Sequence, residues 1–252
     1  MPVPSLLAVF AHPDDESLWS GGVLARHAAA GARTAVVTAT WAADTQRGAE
    51  LAEALRILGT DEPRMLGYAD AWAPQSASGS VRFCEAPLDE TVGRLVAQLR
   101  EFRPDVVVTH DAYGGLTGHP DHVHTHRVTT LAVQAAGLER LYPGAGDPWQ
   151  PSALYLATHP HSAVRTLSDL ARAGKAMNSV PDERITATVD VSPWLEQKWA
   201  AVQAHRTEVE RGAAPGLLAG LPAAVRERIL STEWYIRQDT VSPVAAQSEL
   251  TP

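Results

Sequence analysis

One cysteine, Cys84, stands in the whole chain, so no disulfide can form within it and a reducing interior fits. Cys84 follows Val81-Arg82-Phe83 and reads as a packed or surface thiol, not a nucleophile. Positive charge is scarce: 21 Lys and Arg against 29 Asp and Glu leave a net charge of -8. That argues against nucleic acid or an anionic membrane as a general partner. No run reaches the ~18 apolar residues of a membrane span. The stretch from Met1 to Phe10 lacks the basic head and the length of a signal peptide, and the expected address is the cytoplasm. Repeats, low-complexity tracts and long polar linkers are absent too. A single domain over residues 1–252 is therefore expected, with residues 212–216 and the tail after about residue 241 as loop or disorder. An apolar share of 45% suffices for a sizeable core and is compatible with a homo-oligomer.

What is present is an alternation of short apolar runs with longer segments of helical period. Leu6 to Phe10 reads as a buried strand, Gly21 to Ala30 as a helix, and Thr34 to Thr38 as a second strand. Leu51, Leu55 and Leu58 stripe a helix that Gly59 ends, and Pro63 to Leu66 is a weaker strand. Leu88, Val92, Leu95, Val96 and Leu99 share a helical face before Pro104, and Asp105 to Thr109 is the clearest strand. Pro120 to Ala136 is helical, with Val128, Leu131 and Ala135 at core spacing. Strands over Leu154–Thr158 and Ile185–Val191 and a helix over Ser192–His205 follow. This pattern predicts an α/β, Rossmann-like fold: a mostly parallel sheet with helices on both faces, its ligand site beyond the carboxyl ends of the strands.

Two polar runs lie at such ends. Ala11-His12-Pro13-Asp14-Asp15-Glu16 follows the first strand directly, and His119-Pro120-Asp121-His122 follows a strand and the Gly-rich loop from Tyr113 to Gly118. Three carboxylates beside a histidine at a buried strand end are costly without a cation, and a metal removes that cost. Catalytic zinc takes three nitrogen or oxygen ligands and keeps a fourth position open. His12 and Asp15 supply two of them, and His119 or His122 supplies the third. Whichever of the pair is off the metal is free to polarise a carbonyl or move a proton, and Asp121 can orient a ring nitrogen from outside the ligand set. His27, His124, His126, His159 and His161 read as surface or packing residues. A dinucleotide site is disfavoured, because HPDDE stands where G-x-G-x-x-G would and its carboxylates repel a pyrophosphate.

At these residues the sequence resembles the LmbE-like (PIG-L) family of zinc-dependent N-deacetylases, whose hallmarks are an AHPDDE-type run and a later HPDH-type run. Within the family it is most similar to the mycothiol-pathway branch, which comprises N-acetylglucosaminyl-inositol deacetylases and mycothiol conjugate amidases. Residues 119–126 with Val128-Thr-Thr130, Arg103-Pro104, Gly146-Asp-Pro-Trp149, Lys198 and His205 carry that closer likeness. The resemblance implies His12, Asp15 and His122 as metal ligands and Asp14 as general base toward the attacking water. It implies His119 as the electrophile or acid near the leaving nitrogen, with Asp121 tuning it, and Arg47 as a substrate contact. The implied cofactor is Zn2+, with iron(II) able to take the same ligands.

Two departures concern the pocket. The branch carries a tyrosine two residues before the first histidine of the HPDH run. Here Thr117 holds that position, in a loop one residue longer, and Tyr113 is the aromatic hydroxyl able to reach back. The segment between Thr38 and Arg47 is short, and Trp41 within it offers either a sugar-stacking face or core packing. The implied partner is a small amino-sugar or glycoconjugate substrate. The reaction is hydrolysis of its N-acyl, expectedly N-acetyl, group; a mycothiol S-conjugate amidase and a deacetylase of a glycosylated secondary metabolite are the alternatives.

Overall fold

The computed structural model describes residues 3–166 and 177–240. Its sheet contains β1 (Leu6–Phe10), β2 (Thr34–Thr40), β3 (Arg64–Tyr68), β4 (Val106–His110), β5 (Ala153–Thr158), β6 (Ala187–Asp190) and β7 (Thr232–Asp239). The spatial order is β3-β2-β1-β4-β5-β7-β6. The first five strands are mutually parallel, while β7 runs antiparallel to both β5 and β6. The chain steps outward from β1 to β3 and then returns to place β4 on the other side of β1. That reversal opens a crevice between the carboxyl ends of β1 and β4, the usual ligand position in such sheets.

Strand alternation divides the core. Leu7 and Val9 of β1 face one side, where they pack with residues of α3 (Leu88–Phe102) and α4 (Pro120–Ala136). Leu6, Ala8 and Phe10 face the other, against α1 (Asp15–Ala29) and α2 (Gln46–Leu58). The sheet is thus covered on both faces, as the apolar strands require. After β5 come α5 (His161–Thr166), α6 (Leu195–Ala204) and the short helices α7 (Arg206–Glu210), α8 (Ala214–Ala219) and α9 (Ala223–Leu230).

Local chemistry sets the boundaries. Gly59 ends α2 in the left-handed conformation (φ 76°), which costs glycine little. Pro120 opens α4, where its missing N–H is no loss. The helix expected from Gly21 begins earlier, at Asp15, and is kinked at Ser20. Beyond the kink, Glu233 of β7 accepts the N–H groups of Gly22 and Val23 at 2.8 and 3.0 Å and is paired with the buried Lys198 of α6 at 2.8 Å. The second half of α1 therefore starts with its own cap, supplied from a strand more than 200 residues away.

Three expectations need correction. Leu131 is 48% exposed, so the buried face of α4 runs instead through Val128, Ala132, Val133 and Ala136. Residues 214–216, expected as loop, lie in α8. Strand β7 has no counterpart in the sequence reading. The tail after residue 241 lies outside the described residues.

Candidate active site

The first half of the site is the turn from β1 into α1. Asp14 adopts φ 122°, a region a non-glycine residue rarely occupies, and is held there on both sides. Its backbone N–H donates to Glu16 Oε2 at 3.0 Å, and Glu16 is itself paired with Nε2 of His205 at 2.8 Å. Asp15 folds back so that its Oδ2 accepts the backbone N–H of His12 at 2.9 Å. The turn therefore presents His12, Asp14 and Asp15 together, with the acidic side chains at the positive end of α1.

The second half is the loop from β4 into α4. Asp111 is buried and accepts the N–H groups of Tyr113 and Gly115 at 3.1 and 2.9 Å, and the hydroxyl of Thr158. Gly114, at φ 72°, lies so close to the Val123 backbone nitrogen that an added Cβ would sit 2.9 Å from it. That approach lets the Gly114 carbonyl accept from Nδ1 of His122 at 3.2 Å, which leaves Nε2 of His122 to present its lone pair. His119 caps α4 by accepting the Asp121 N–H on its Nδ1 at 3.1 Å, so its proton is on Nε2.

The two halves converge as expected. His12 Nδ1 lies 3.0 Å from His122 Nε2, and Asp15 Oδ2 lies 3.3 Å from each of those nitrogens. Three ligand atoms of a tetrahedral zinc at ~2.0–2.1 Å stand about 3.3 Å apart, so this donor set of two nitrogens and one oxygen fits such an ion. A ring nitrogen of His119 comes within 4.8 Å of those of His12 and His122. The distal Nε2 of His12 meets two carboxylates at 3.2 Å each, Asp70 and Asp121. Asp121 is fully buried and also accepts the N–H groups of Ala71 and Cys84 at 2.9 and 3.1 Å. Its hydrogen-bond partner is thus His12, and the Asp121 carboxylate also stands 3.8 Å from His119 Nδ1, where its charge acts to raise that imidazole's pKa.

The charge states follow from this packing. Burial lowers the His12 imidazole, but hydrogen bonds to Asp121 and Asp15 outweigh it and raise the pKa to about 10. The pocket therefore favours a cation at His12. Burial pushes the Asp14 carboxyl up to about 7 against the pull of Arg47. Burial and the nearby His12 hold His119 down at about 4, so it is a neutral imidazole at pH 7.

The remaining expected residues separate. Arg47 is buried beside Asp14, its guanidinium 3.5 Å from that carboxylate, bonded to the Pro13 carbonyl and 3.2 Å from Glu208. Trp41 is half-buried with φ 72° and lies under that guanidinium, 4.6 Å from its carbon, so Arg47 covers one face of the indole. Thr117 is exposed and Tyr113 is 54% exposed, so neither hydroxyl is placed in the buried cluster. Three residues were missed: Asp70 beyond β3, His110 at the end of β4, and Trp72. Trp72 is 71% exposed, with its ring centroid 3.8 Å from that of His119. An imidazole directly beyond the strand predicted to end at Thr109 was the signal available for His110, whereas Asp70 lies four residues past the strand predicted to end at Leu66. Among the other histidines, His124 packs edge-on against Phe83 at 4.7 Å and His126 donates to the His110 carbonyl at 3.0 Å, as packing residues do. His27 bonds the Val23 carbonyl, His161 bonds Ser179, and His159 packs between Trp19 and Trp234.

A doubly wound sheet with a His/Asp cluster able to hold a metal at its switch point defines a class of α/β hydrolytic enzyme. Comparison sharpens this. Residues 7–133 match the family described as PIG-L: GlcNAc-PI de-N-acetylase, and the chain belongs to that family. It is a carbon–nitrogen bond hydrolase. The chain is 37% identical to the 1D-myo-inositol 2-acetamido-2-deoxy-alpha-D-glucopyranoside deacetylase of Rhodococcus jostii (strain RHA1), over 92% of this chain and 90% of that one. The crystal structure of the conserved protein TT1542 from Thermus thermophilus superimposes with a TM-score of 0.66, at 26% identity over 98% of this chain and 97% of that one. The 4-carboxy-2-hydroxymuconate hydratase GalB of Pseudomonas putida KT2440 shares the fold, with a TM-score of 0.60 at 20% identity over 98% of this chain and all of that one. The same fold thus occurs in a protein titled a hydratase, so the fold by itself does not give the reaction.

Proposed function

We propose that this chain is a zinc-dependent de-N-acetylase that hydrolyses the N-acetyl group of an amino sugar within a larger glycoconjugate. The observation that carries the reading is the triangle of His12 Nδ1, Asp15 Oδ2 and His122 Nε2 at 3.0–3.3 Å, with Asp14 beside it in the same turn. His12, Asp15 and His122 would hold the metal, and Asp121 and Asp70 orient His12 from behind. Zinc, when bound, supplies a Lewis acid and lowers the pKa of water to about 7.

Asp14 removes a proton from the attacking water; burial places its carboxyl near neutrality, where a general base is most effective. Arg47 keeps that carboxyl in place. As water adds to the amide carbon, the neutral His119 donates its Nε2–H to the developing oxyanion, a contribution of roughly 2.7–4 kcal/mol for one such donor. When the carbon–nitrogen bond breaks, the proton held by Asp14 passes to the amine, and acetate leaves. Trp72, exposed against His119, offers an aromatic face for a sugar ring, one of the two roles left open for Trp41. A single cysteine supports a cytoplasmic address, and one sheet carrying every group named supports a single catalytic domain.

The test is a screen of protein loaded with zinc or iron(II), following free amine release. Its substrates are N-acetylglucosaminyl-inositol, simple N-acetyl amino sugars, a thiol conjugate and glycosylated natural products. Turnover of an N-acetyl amino sugar that chelation abolishes is expected. Release from the thiol conjugate alone would move the activity to an amidase, and no release from any of them with either metal would overturn the reading.

A further inference from the structure

His110 ends β4 and is fully buried, yet neither of its ring nitrogens meets a partner in good hydrogen-bond geometry. It packs edge-on against Phe10 at 4.8 Å and Trp19 at 5.8 Å, and lies parallel to His122, with centroids 4.0 Å apart and planes 6° from coincidence. A polar ring sealed among aromatics with its nitrogens unused is destabilising, and natural cores rarely keep one. Its Nε2 lies 3.4 Å from Oδ2 of Asp15.

The parallel stack excludes the simplest use of that imidazole. The lone pair of an imidazole lies in the plane of its ring. A cation in the plane of His122 therefore stands about one ring spacing away from the plane of His110, and the two histidines cannot ligate the same ion. What remains for Nε2 is its carboxylate neighbour. Asp15 Oδ2 already accepts the backbone N–H of His12, and it is the oxygen that faces both His12 Nδ1 and His122 Nε2. A second donor from the far side leaves it little freedom to swing out of that position.

We propose that His110 is a positioning residue for Asp15: a small tilt of the ring closes the 3.4 Å gap, so that its Nε2–H donates to Asp15 Oδ2 and holds that oxygen against the donor atoms of His12 and His122. The inference rests on the reading of Asp15 as a metal ligand. It makes β4 contribute rigidly to the metal site, since His110 is the last residue of a strand hydrogen-bonded to β1, which delivers His12.

Two variants separate the donor from the ring. His110→Phe keeps the aromatic stack and removes the donor; His110→Gln removes the ring and keeps an N–H. Zinc affinity is measured by competition with a chromophoric chelator, and the cobalt(II)-substituted proteins are compared by visible absorption. The expected result is a roughly 10- to 100-fold weaker zinc affinity and an altered cobalt spectrum for His110→Phe, with His110→Gln recovering most of both. Should circular dichroism show that His110→Phe does not fold, His110→Leu replaces it with the same expectation. Zinc affinity within about twofold of wild type and a superimposable cobalt spectrum in the donorless variant would overturn the inference. Asp15→Ala is measured alongside. If it binds zinc like wild type, the ligand reading itself falls; if zinc depends on Asp15 but not on His110, only this inference does.

Discussion

The carboxylate of Asp121 lies 3.2 Å from the distal nitrogen of His12, across the seam between the two halves of the site. Its remaining hydrogen bonds go to the backbone of Ala71 and Cys84, so one buried side chain ties α4, the segment after β3 and the first histidine together. Asp121→Ala should leave His12 free to turn and weaken metal binding by ~10–100-fold. Dialysis against graded chelator followed by metal analysis measures this. Retention equal to wild type would remove Asp121 from the support of His12.

Asp14 has the backbone of a strained turn and the carboxyl of a base, and the two can be tested apart. Asparagine tolerates positive φ better than alanine, so Asp14→Asn keeps the turn while removing the proton acceptor. Turnover should fall by roughly 10²–10⁴ with metal content unchanged. Amine release and metal analysis on the same preparation decide it, and an active Asp14→Asn enzyme would exclude this residue as the base.

Trp72 is placed to meet substrate before the reaction begins. An aromatic contact of about 1 kcal/mol corresponds to roughly a fivefold change in affinity. Trp72→Ala should therefore raise KM for an N-acetyl amino sugar by that order with kcat changed little, and Trp72→Phe should restore most of it. A fall in kcat at constant KM would mean that the indole supports His119 and not the sugar.

The buried pair Glu16–His205 gives the fold a pH dependence with a defined sign. Burial opposes ionisation of both, but each partner outweighs it: Glu16 titrates below its ordinary 4.5 and His205 above its ordinary 6.5. The Glu16 contribution is complete above pH 4.5 and is lost as pH falls through its lowered value. The His205 contribution is complete below pH 6.5 and is lost as pH rises through its raised value. The Tm advantage of wild type over His205→Gln should thus be greatest between pH 4.5 and 6.5 and shrink above it. An advantage still growing at about pH 9 would contradict a protonated His205.

What was legible in the sequence was what a few neighbouring residues decide. The apolar runs marked most of the strands near their observed positions, and Pro120 and Gly59 marked a helix start and a helix end. The runs at His12–Glu16 and His119–His122 located the cluster because each follows a strand in the chain. Pairings made only by the fold were not legible. Asp121 is close to His119 in sequence, yet its carboxylate also bonds His12, because β1 and β4 are neighbours and α4 returns over them. Trp41 read equally as a stacking face or a packing residue, and only the fold places Arg47 over one face of its ring. Strand β7 was hidden by Glu233, a charged residue in a buried row with Tyr235, which is tolerable because Lys198 and the N–H groups of Gly22 and Val23 meet it.

The reach of Glu233, His205 and Glu208 has a practical meaning for anyone dissecting this protein. The stretch that carries the family match, residues 7–133, contains every side chain assigned here to chemistry. The braces do not lie within it: His205 steadies Glu16 behind the base, Glu208 anchors Arg47, and Glu233 caps the second half of α1. A minimal fragment cut to the motif-bearing half would keep all its tools and lose the vice that grips them, so the proposed catalytic domain needs the chain through β7.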